Sequence, residues 1–448
     1  MIMKGISWLC AAVLLVWGAS AKAQVELEYW LYNLDGETGQ YYTNGGGIVD
    51  TGVECDVELV QYSEGFVYVH CAGIPRYLTA PFPDGNPSIP TDQDHLFKIP
   101  RNPEFNPGNP TMTGLGHIAV LINGVPIFNA MDAFSYNNSD VWHQNAVFFE
   151  NDGFDCAKGH PAMGAYHHHQ LPIRFDSAAE SQNDVCADFP SDALFALNAS
   201  QHSPLIGWAW DGFPIYGPFA YAETDGTGGI VRMGSSYQLR EITVRETLAD
   251  GTDLAPWQFG PDVGEMVTPA IPPGASPVPA DLGAYMEDYE YILLSGHLDE
   301  YNGRLAVTPE FPNGTYAYYA TIDADYNSAY PYFFPFYRGV VETDNFGGPG
   351  GGVVIDEEVQ TYVISDVANL GFDGQGPVAF PQPASAMLTV AYDFVGRADL
   401  IDAQGRAVRS EEAASWAAGV DVSSLPSGLY FWRVEKGNAQ AVPVVIAH

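Results

Sequence analysis

The sequence predicts a mainly β protein, with a large irregular β-sandwich-like main domain and a small C-terminal β-sandwich. Glycine (47 residues) and proline (33) are abundant, as expected for many short strands that are joined by turns. Residues 66–70, FVYVH, alternate with a period of two, which is typical of a half-buried strand. Asn123-Gly124 separates two apolar runs within residues 117–130 and predicts a hairpin with a type I′ turn.

Further strands and one helix are expected along the main domain. Residues 145–150 (NAVFFE) and 315–323 (TYAYYATID) predict strands. Residues 191–200 predict a short helix with Ser191 as its N-cap. The glycine-rich run at 344–354 then predicts a flexible joint before a second domain.

These patterns divide the chain into four parts. Residues 1–23 are expected to form a signal peptide and residues 24–340 the main domain. A glycine-rich linker at 341–369 is expected to lead to a C-terminal domain at 370–448.

The N-terminus has three features of a secretory signal peptide. Lys4 supplies an early positive charge, residues 6–18 are apolar, and Ala21-Lys22-Ala23 is a typical cleavage pattern. The alternative is a membrane anchor, for which the apolar run is short. We therefore expect a soluble, exported chain without a transmembrane segment, beginning near Gln24.

Four cysteines remain after the predicted cleavage, an even number that favours disulfides in an exported protein. Three pairings are possible, and proximity in sequence suggests Cys55–Cys71 and Cys156–Cys186. The alternative is buried free thiols, which an oxidising compartment disfavours.

The chain is strongly acidic, with a formal net charge of −38. Nucleic acid and anionic membranes are poor partners for such a chain because like charges repel. The charge indicates a solvated acidic surface and does not point to an activity.

The clearest chemical signal is a cluster of histidines. Of the eleven histidines, five lie within residues 143–169, where an even distribution would place fewer than one. These five are His143, His160, His167, His168 and His169. Side chains two residues apart on a strand share a face, so His167 and His169 could bind one ion while His168 points the other way.

Two further histidines could complete such a site. His160 would be a third ligand if a turn folds it back, and His202 could be a fourth. Imidazole suits several transition metals, and we expect copper or zinc. The alternative is that these imidazoles form hydrogen bonds in a polar core.

Asp211 lies within the aromatic and apolar run HSPLIGWAWDGFPIYGPFAY (202–221). A carboxylate in such surroundings must be paired or hydrogen-bonded, because an isolated buried charge is costly. Asp211 could act as a catalytic base or orient a ligating histidine. The alternative is that it only caps the tight turn at Gly212 and Pro214.

A cluster of polar residues precedes one of the predicted strands and consists of Asp299, Glu300, Asn302 and Arg304. Its oxygens could bind Ca²⁺, but the spacing matches no EF-hand loop, so calcium is a less favoured ion and Arg304 is expected to pair with an acid. The aromatic series from Tyr330 to Tyr337 could stack on sugar rings or pack in the core.

Four motifs follow one another in the C-terminal part: FPQPASAMLTV, DAQGRAV, DVSSLPSGLYFWRVEKG and VPVVIAH. In this order they resemble the C-terminal sorting domain of the bacterial type IX secretion system, although Gln382 stands where that family usually has asparagine. The resemblance implies recognition by the type IX machinery, removal of the tail, and release or attachment at the outer-membrane surface. A carbohydrate-binding β-sandwich would fit the strand pattern but not the ordered motifs.

Several blocks of the main domain occur in a specific order over roughly residues 55 to 340: FDCAKGHPAMGAYHHHQLP, HSPLIGWAWDGFPIYGP, LDEYNGRLAVTPEFPNGTYAYYATID and YPYFFPFYRG. They resemble the YHYH family of exported bacterial proteins. The Tyr-His-Tyr-His motif of that family corresponds to residues 166–169, with His168 in place of the second tyrosine. Tyr301 stands where many relatives have cysteine. The resemblance implies the identity of the domain but no reaction.

Three classes of function are consistent with these observations. The first is a metal-dependent enzyme with a coordination position open for water or substrate. The second is a non-catalytic extracellular module that binds glycan or another surface component and has structural histidines. The third is a purely structural surface protein whose histidines are packing residues. Whether the protein is an enzyme stays open, since the chain has no HExxH, G-x-S-x-G or nucleotide-binding glycine loop.

Overall fold

The chain is described by a computed structural model. It describes residues 24–33, 36–43, 46–172, 197–269, 276–346, 352–362, 378–380, 387–391, 396–402, 406–412, 415–416, 419–426, 428–434 and 442–446. The predicted signal peptide at 1–23 and most of the predicted helix at 191–200 lie outside these residues.

The protein is mainly β, as predicted, and the described residues include two α-helices of a single turn, α1 (Val25–Glu28) and α2 (Ala146–Phe149). The first strands are β1 (Thr38–Tyr42), β2 (Ile48–Glu54), β3 (Val57–Tyr62), β4 (Phe66–Cys71), β5 (His95–Pro100), β6 (Thr111–Met112), β7 (His117–Leu121), β8 (Pro126–Phe128), β9 (Met131–Ser135), β10 (His143–Asn145), β11 (Gly159–Ala162) and β12 (Ala165–His168). The next are β13 (Leu205–Ala209), β14 (Pro214–Tyr216), β15 (Phe219–Tyr221), β16 (Ile230–Arg232), β17 (Tyr237–Leu239), β18 (Met266–Val267), β19 (Val278–Pro279), β20 (Tyr289–Tyr291), β21 (Gly303–Ala306), β22 (Thr315–Tyr319), β23 (Phe336–Tyr337) and β24 (Gln360–Thr361). The C-terminal strands are β25 (Val378–Phe380), β26 (Met387–Ala391), β27 (Arg397–Asp402), β28 (Ala407–Glu412), β29 (Val420–Asp421), β30 (Gly428–Val434) and β31 (Val442–Ile446).

The largest sheet holds eight strands in the order β11-β12-β8-β7-β13-β14-β22-β21. It is mixed, because the pairs β12/β8 and β14/β22 are parallel and the other neighbours are antiparallel. Every side chain of β7 and of β13 is buried. The middle of this sheet is therefore covered on both faces, which explains why its central strands are continuous apolar runs.

The predicted hairpin at Asn123-Gly124 joins β7 and β8, but its turn is not of type I′. Gly124 has a φ of +81°, whereas Asn123 does not have a positive φ. The amide of Gly124 donates to the carbonyl of Leu121 over 2.9 Å. A type I′ turn needs positive φ at both central residues, so this loop is a type I turn followed by a glycine bulge.

The strand predicted at 145–150 is wrong, because the chain turns into a helix there. The side chain of Asn145 accepts a hydrogen bond from the amide of Val147 over 3.1 Å and caps α2. Asparagine is among the most favoured N-cap residues. The single helical turn is followed directly by Glu150, which thereby reaches the histidine segment.

The predicted Cys55–Cys71 disulfide is wrong, because both residues are free, buried thiols. Cys71 packs in the main hydrophobic core, whereas Cys55 packs with Ala72 in a separate cluster. Consecutive side chains of an extended chain point to opposite faces, so Cys71 and Ala72 lie on opposite faces of the strand. Cys55 packs on the face of Ala72, and its thiol therefore does not face that of Cys71. The pairing of Cys156 with Cys186 stays a prediction, since Cys186 lies outside the described residues.

Part of the predicted linker at 341–369 packs on the main domain. β24 pairs with β3, and Tyr68 donates a hydrogen bond to Glu357 over 2.6 Å. The C-terminal strands have a hydrophobic core of their own, which includes Trp416 and Trp432. The domain boundaries themselves stay predictions. In the part of the chain that the structure describes, no helix has the length and apolar character needed to cross a membrane.

Candidate metal centre

The histidine segment forms a tight hairpin at the edge of the large sheet. β11 and β12 are antiparallel, and His160 lies directly opposite His167. Met163 and Gly164, which join the two strands, have φ values of +51° and +90°. Two consecutive positive φ angles are what a two-residue type I′ hairpin turn requires. The turn that the sequence left conditional therefore brings His160 back to His167.

His169 reaches the same point from just beyond β12. Because β12 runs parallel to β8, the carboxyl ends of these two neighbouring strands lie side by side at the same end of the sheet. The Nδ1 atom of His169 lies 2.6 Å from the carbonyl oxygen of Asn129, the residue after β8. The ring of Phe128 stacks on His167 with centroids 3.9 Å apart and holds that imidazole in place.

The structure thus brings together three of the four predicted ligands: His160, His167 and His169. One ring nitrogen of each lies within 4.8 Å of those of the other two. The Nε2 atoms of His167 and His169 are the closest pair, at 3.2 Å. A tetrahedral ion with metal–nitrogen bonds of about 2.05 Å spaces its ligand atoms about 3.3 Å apart, so this pair already has the required spacing.

Backbone carbonyls determine which ring nitrogens carry protons. The Nδ1 atom of His167 lies 2.9 Å from the carbonyl oxygen of Ala165. The Nδ1 atom of His169 lies 2.6 Å from the carbonyl oxygen of Asn129. A carbonyl oxygen can only accept, so each Nδ1 is protonated and each neutral ring presents a lone pair at Nε2. The two lone pairs face one another, an arrangement that a cation bound to both nitrogens would stabilise.

Burial favours the neutral form of these rings. It lowers the pKa of His169 and lowers that of His167 well below the usual range, and neighbouring imidazoles add to the effect on His167. Neutral imidazole is the form that binds metal ions, so the site is ready to bind without first losing protons.

Sequence reasoning missed a carboxylate that contacts this group. The Oε2 atom of Glu150 lies 3.0 Å from the Nε2 atom of His160, and each side chain is only 12% exposed. Burial alone would raise the pKa of Glu150, but the contact with His160 and the nearby ring of His169 lower it, so the carboxylate is charged at neutral pH.

His168 points away from the other two histidines, as the alternation of a strand predicts. Its Nε2 atom lies 2.6 Å from the hydroxyl of Tyr77, and its Nδ1 atom lies 3.2 Å from the carbonyl of Lys158. Burial lowers the pKa of His168 to about 3. His168, which replaces a tyrosine of the family motif, therefore has its own hydrogen bonds and lies outside the group of His160, His167 and His169.

The structure does not bring His202 into the group. Its Nδ1 atom lies 2.7 Å from the carbonyl of Ser203, and its ring packs against Tyr216 and Tyr221. His143 instead contacts Glu287 at 2.6 Å. The sequence analysis therefore predicted one ligand too many, because His202 lies apart from His160, His167 and His169.

Asp211, the predicted base or orienting residue, is bonded to groups other than histidine. It accepts hydrogen bonds from the hydroxyl of Tyr318 at 2.5 Å, the amide of Gly339 at 2.8 Å and the amide of Phe213 at 3.3 Å. Burial raises the pKa of Asp211 to about 6, although these donors oppose the shift. The bond from Phe213 fits the structural alternative, in which Asp211 caps its own turn, and the bonds from Tyr318 and Gly339 in addition tie that turn to two other segments.

The third polar segment is also engaged within the protein. Asp299 accepts hydrogen bonds from the hydroxyl of Tyr316 at 2.8 Å and from the amide of Gly303 at 3.1 Å. Arg304 donates to the carbonyl groups of Tyr221 and Ala222, so its expected pairing with an acid is wrong.

The aromatic series from Tyr330 to Tyr337 is largely core. Tyr330 stacks on Tyr289 with centroids 3.9 Å apart, and Phe334 stacks on Tyr318 at 4.2 Å. Because both members of each pair are at most partly exposed, these faces are not free for sugar rings.

Comparisons with known proteins define the class of the protein. Residues 378–447 match the family described as secretion system C-terminal sorting domain, which confirms the resemblance of the tail. The protein is therefore secreted or attached to the cell surface, and its sorting domain implies interaction with the type IX secretion machinery. Residues 96–330, just over half of the chain, match the family described as YHYH protein. The chain belongs to the YHYH protein family. No curated protein and no solved structure matches it.

Proposed function

We propose that this protein is an exported metalloprotein in which His160, His167 and His169 bind one transition-metal ion. The observation that carries the proposal is the 3.2 Å separation of two Nε2 atoms whose rings are each held by a carbonyl at Nδ1. Zinc and copper both accept imidazole nitrogen, and both are candidates at this stage.

A purely structural role for the histidines accounts for only half of these contacts. Packing in a polar core explains the bonds that the Nδ1 atoms of His167 and His169 make to carbonyl groups. It leaves their Nε2 lone pairs facing each other in a buried place, where repulsion is poorly screened. The metal proposal gives both ends of each ring a partner.

Three protein ligands leave a coordination position that water or a substrate can take. Structural zinc sites usually have four protein ligands, whereas catalytic sites commonly have three. A bound ion at this position would supply a Lewis acid for a polar substrate. Hydrolysis is therefore the first reaction for which the loaded protein should be screened.

The test is the metal content of the full-length protein, produced without a histidine tag and loaded with zinc or copper. We expect about one equivalent of metal by elemental mass spectrometry, as a single site implies. The double variant His167→Ala/His169→Ala should lose this metal while its circular dichroism stays unchanged. His297→Ala is the control, since His297 is exposed and lies outside the group. Absence of metal in the loaded wild type would overturn the proposal.

A further inference from the structure

His202, which lies apart from the candidate metal centre, belongs to a second cluster of polar and aromatic side chains. Its imidazole packs against the rings of Tyr216 and Tyr221, in each case with centroids 5.1 Å apart. Tyr216 stacks on Tyr319 at 6.0 Å, and the guanidinium of Arg304 lies 5.7 Å from the centre of the Tyr319 ring. Arg304 also donates a hydrogen bond to the carbonyl of Tyr221. These five residues therefore form a closed ring of contacts, which we call the His202 cluster.

Strand pairing in the large sheet fixes three members of the cluster. β14 runs parallel to β22, with Tyr216 opposite Tyr319. β21 runs antiparallel to β22, with Arg304 opposite Ala317. Side chains that are two residues apart on a strand, or directly opposite on paired strands, share a face of the sheet. Arg304, Tyr319 and Tyr216 consequently project from the same face, at positions that the backbone hydrogen bonds determine.

Three buried polar atoms of the His202 cluster lack a hydrogen-bond partner among the residues that the structure describes. They are the Nε2 atom of His202, the Nε atom of Arg304 and the hydroxyl of Tyr319. Arg304 is 8% exposed and Tyr319 is fully buried. Buried polar groups are nearly always hydrogen-bonded, to the protein or to a bound molecule. A molecule bound within the ring of contacts would supply the missing partners.

Arg304 is a buried cation without an acid beside it. Within the described part of the chain, its terminal nitrogens donate to the carbonyl groups of Tyr221 and Ala222, and it forms no ion pair. Glu310 instead accepts a hydrogen bond from Tyr216 over 2.7 Å. Acidic residues outnumber lysines and arginines by 55 to 17, so carboxylates are plentiful in this chain. A buried guanidinium without a counter-charge is costly, and a bound anion would remove that cost.

The imidazole of His202 needs a different partner. Its Nδ1 atom lies 2.7 Å from the carbonyl oxygen of Ser203, which can only accept, so Nδ1 carries the proton and Nε2 has the lone pair. Burial lowers the pKa of His202 to about 4, so the ring is neutral at neutral pH. Nε2 therefore requires a donor such as a hydroxyl, whereas Arg304 and Tyr319 can donate to an anionic oxygen. The cluster matches a molecule that carries both groups close together.

We propose that the His202 cluster is a binding site for a small α-hydroxy carboxylate, whose carboxylate accepts from Arg304 and Tyr319 while its hydroxyl donates to His202. This inference goes beyond the proposed metal function and does not depend on it. His202 and Tyr221 are partly exposed, so the site lies within reach of solvent. Charge-assisted hydrogen bonds between guanidinium and carboxylate supply the affinity. The hydroxyl supplies selectivity, because a buried acceptor that lacks its donor is penalised.

The test is isothermal titration calorimetry of the full-length protein at neutral pH with three probes of similar size. Glycolate carries both groups, acetate lacks the hydroxyl, and glycolamide lacks the charge. We expect glycolate to bind at least about tenfold more tightly than either of the other two, since each of them leaves a buried group unpaired. Wild-type protein that binds none of the probes, or binds all three equally, would overturn the proposal, because water would then suffice to fill the cluster.

Two variants locate the binding within the cluster. His202→Phe keeps an aromatic ring and removes the acceptor, so it should bind glycolate only about as tightly as acetate. Arg304→Gln should lower glycolate affinity at least about tenfold. Arg338→Gln is the matched control and should bind as the wild type does, because Arg338 packs on Phe105 at 4.4 Å and lies outside the cluster. If Arg304→Gln does not fold, His202→Phe decides, and unchanged selectivity for glycolate in that variant would contradict the proposal.

Glycolate can also chelate metal ions, so one more variant separates the two sites. His167→Ala/His169→Ala lacks two of the proposed metal ligands and should bind glycolate as tightly as the wild type. Loss of glycolate binding in this folded variant would assign the binding to the metal centre and overturn this inference alone. Wild-type protein that binds glycolate but no metal would overturn the proposed function and leave the inference standing.

Discussion

The Nε2 atoms of His167 and His169 lie 3.2 Å apart, and neither ring can turn away without breaking the bond from its Nδ1 atom to a carbonyl. Stacking of Phe128 further restrains the ring of His167. Such restraint costs free energy during folding and not during binding, so the proposed metal site is organised before any ion binds.

The turn of the histidine hairpin should be sensitive to a single methyl group. A Cβ atom at Gly164 would lie 2.1 Å from the Oγ1 atom of Thr91, at a φ of +90°. Gly85 has a φ of +77° but nothing within 4 Å, so Gly85→Ala measures backbone strain alone. We expect Gly85→Ala to cost about 1 kcal/mol of unfolding free energy and Gly164→Ala at least about 2 kcal/mol, with weaker metal binding. Chemical denaturation and metal titration test this, and equal effects of the two changes would contradict it.

Acid should destabilise the protein in part through His95. This residue is buried, stacks on Phe97 with centroids 4.8 Å apart, and has an Nε2 atom without a hydrogen-bond partner. Burial lowers its pKa from 6.5 to about 3. The unfolded chain therefore takes up the proton first as the pH falls, and the stability present above pH 6.5 is lost progressively toward pH 3.

The variant His95→Phe should remove this contribution. Between pH 7 and pH 5 its unfolding free energy should fall by about 2 kcal/mol less than that of the wild type. Urea denaturation of metal-free protein at both values measures the difference. Parallel losses in the two proteins would show that His95 is not the group responsible.

Tyr318 donates a hydrogen bond from its hydroxyl to Asp211, and removal of that hydroxyl should lower stability without changing metal binding. Tyr318→Phe leaves a buried carboxylate with one donor fewer, which should cost about 1–3 kcal/mol. The melting temperature should fall while the metal content of the folded protein stays the same. A folded variant that has lost its metal would restore the orienting role that the sequence predicted for Asp211.

Cys55 and Cys71 should be unreactive toward alkylating reagents in the folded protein, because both thiols are buried. Both are buried, and burial raises the pKa of Cys55 to about 12, so little reactive thiolate exists in the folded protein. Iodoacetamide without reductant should modify neither residue in native protein and both in denaturant, as peptide mass spectrometry would show. Resistance to alkylation in denaturant would mean that they are oxidised after all.

The spacing of His167 and His169 is the part of the site that a sequence can predict, because alternation along a strand is a local property. The position of His160 was accessible as well, since Met163-Gly164 allows a two-residue turn. The carbonyl of Asn129 was not accessible, because it depends on the parallel pairing of β12 with β8, which no local pattern encodes.

Glu150 was missed for a different reason. The aromatic run at 146–149 favours a strand by composition, but Asn145 caps a helical turn there and so redirects the chain. Capping by asparagine was the available signal. The error of the Cys55–Cys71 pairing is similar in kind, since closeness along adjacent strands does not decide which faces the side chains occupy.

The three histidines of the site lie within a ten-residue stretch, 160–169, closed by a two-residue turn. Gathering ligands inside so short a loop costs far less chain entropy than recruiting them from distant segments. Hairpins of this kind close in microseconds, long before distant strands of a large sheet can meet. The three imidazoles therefore form a local group that can assemble early, whereas the carbonyl of Asn129 and the ring of Phe128, which restrain two of them, reach it only when β8 pairs with β12.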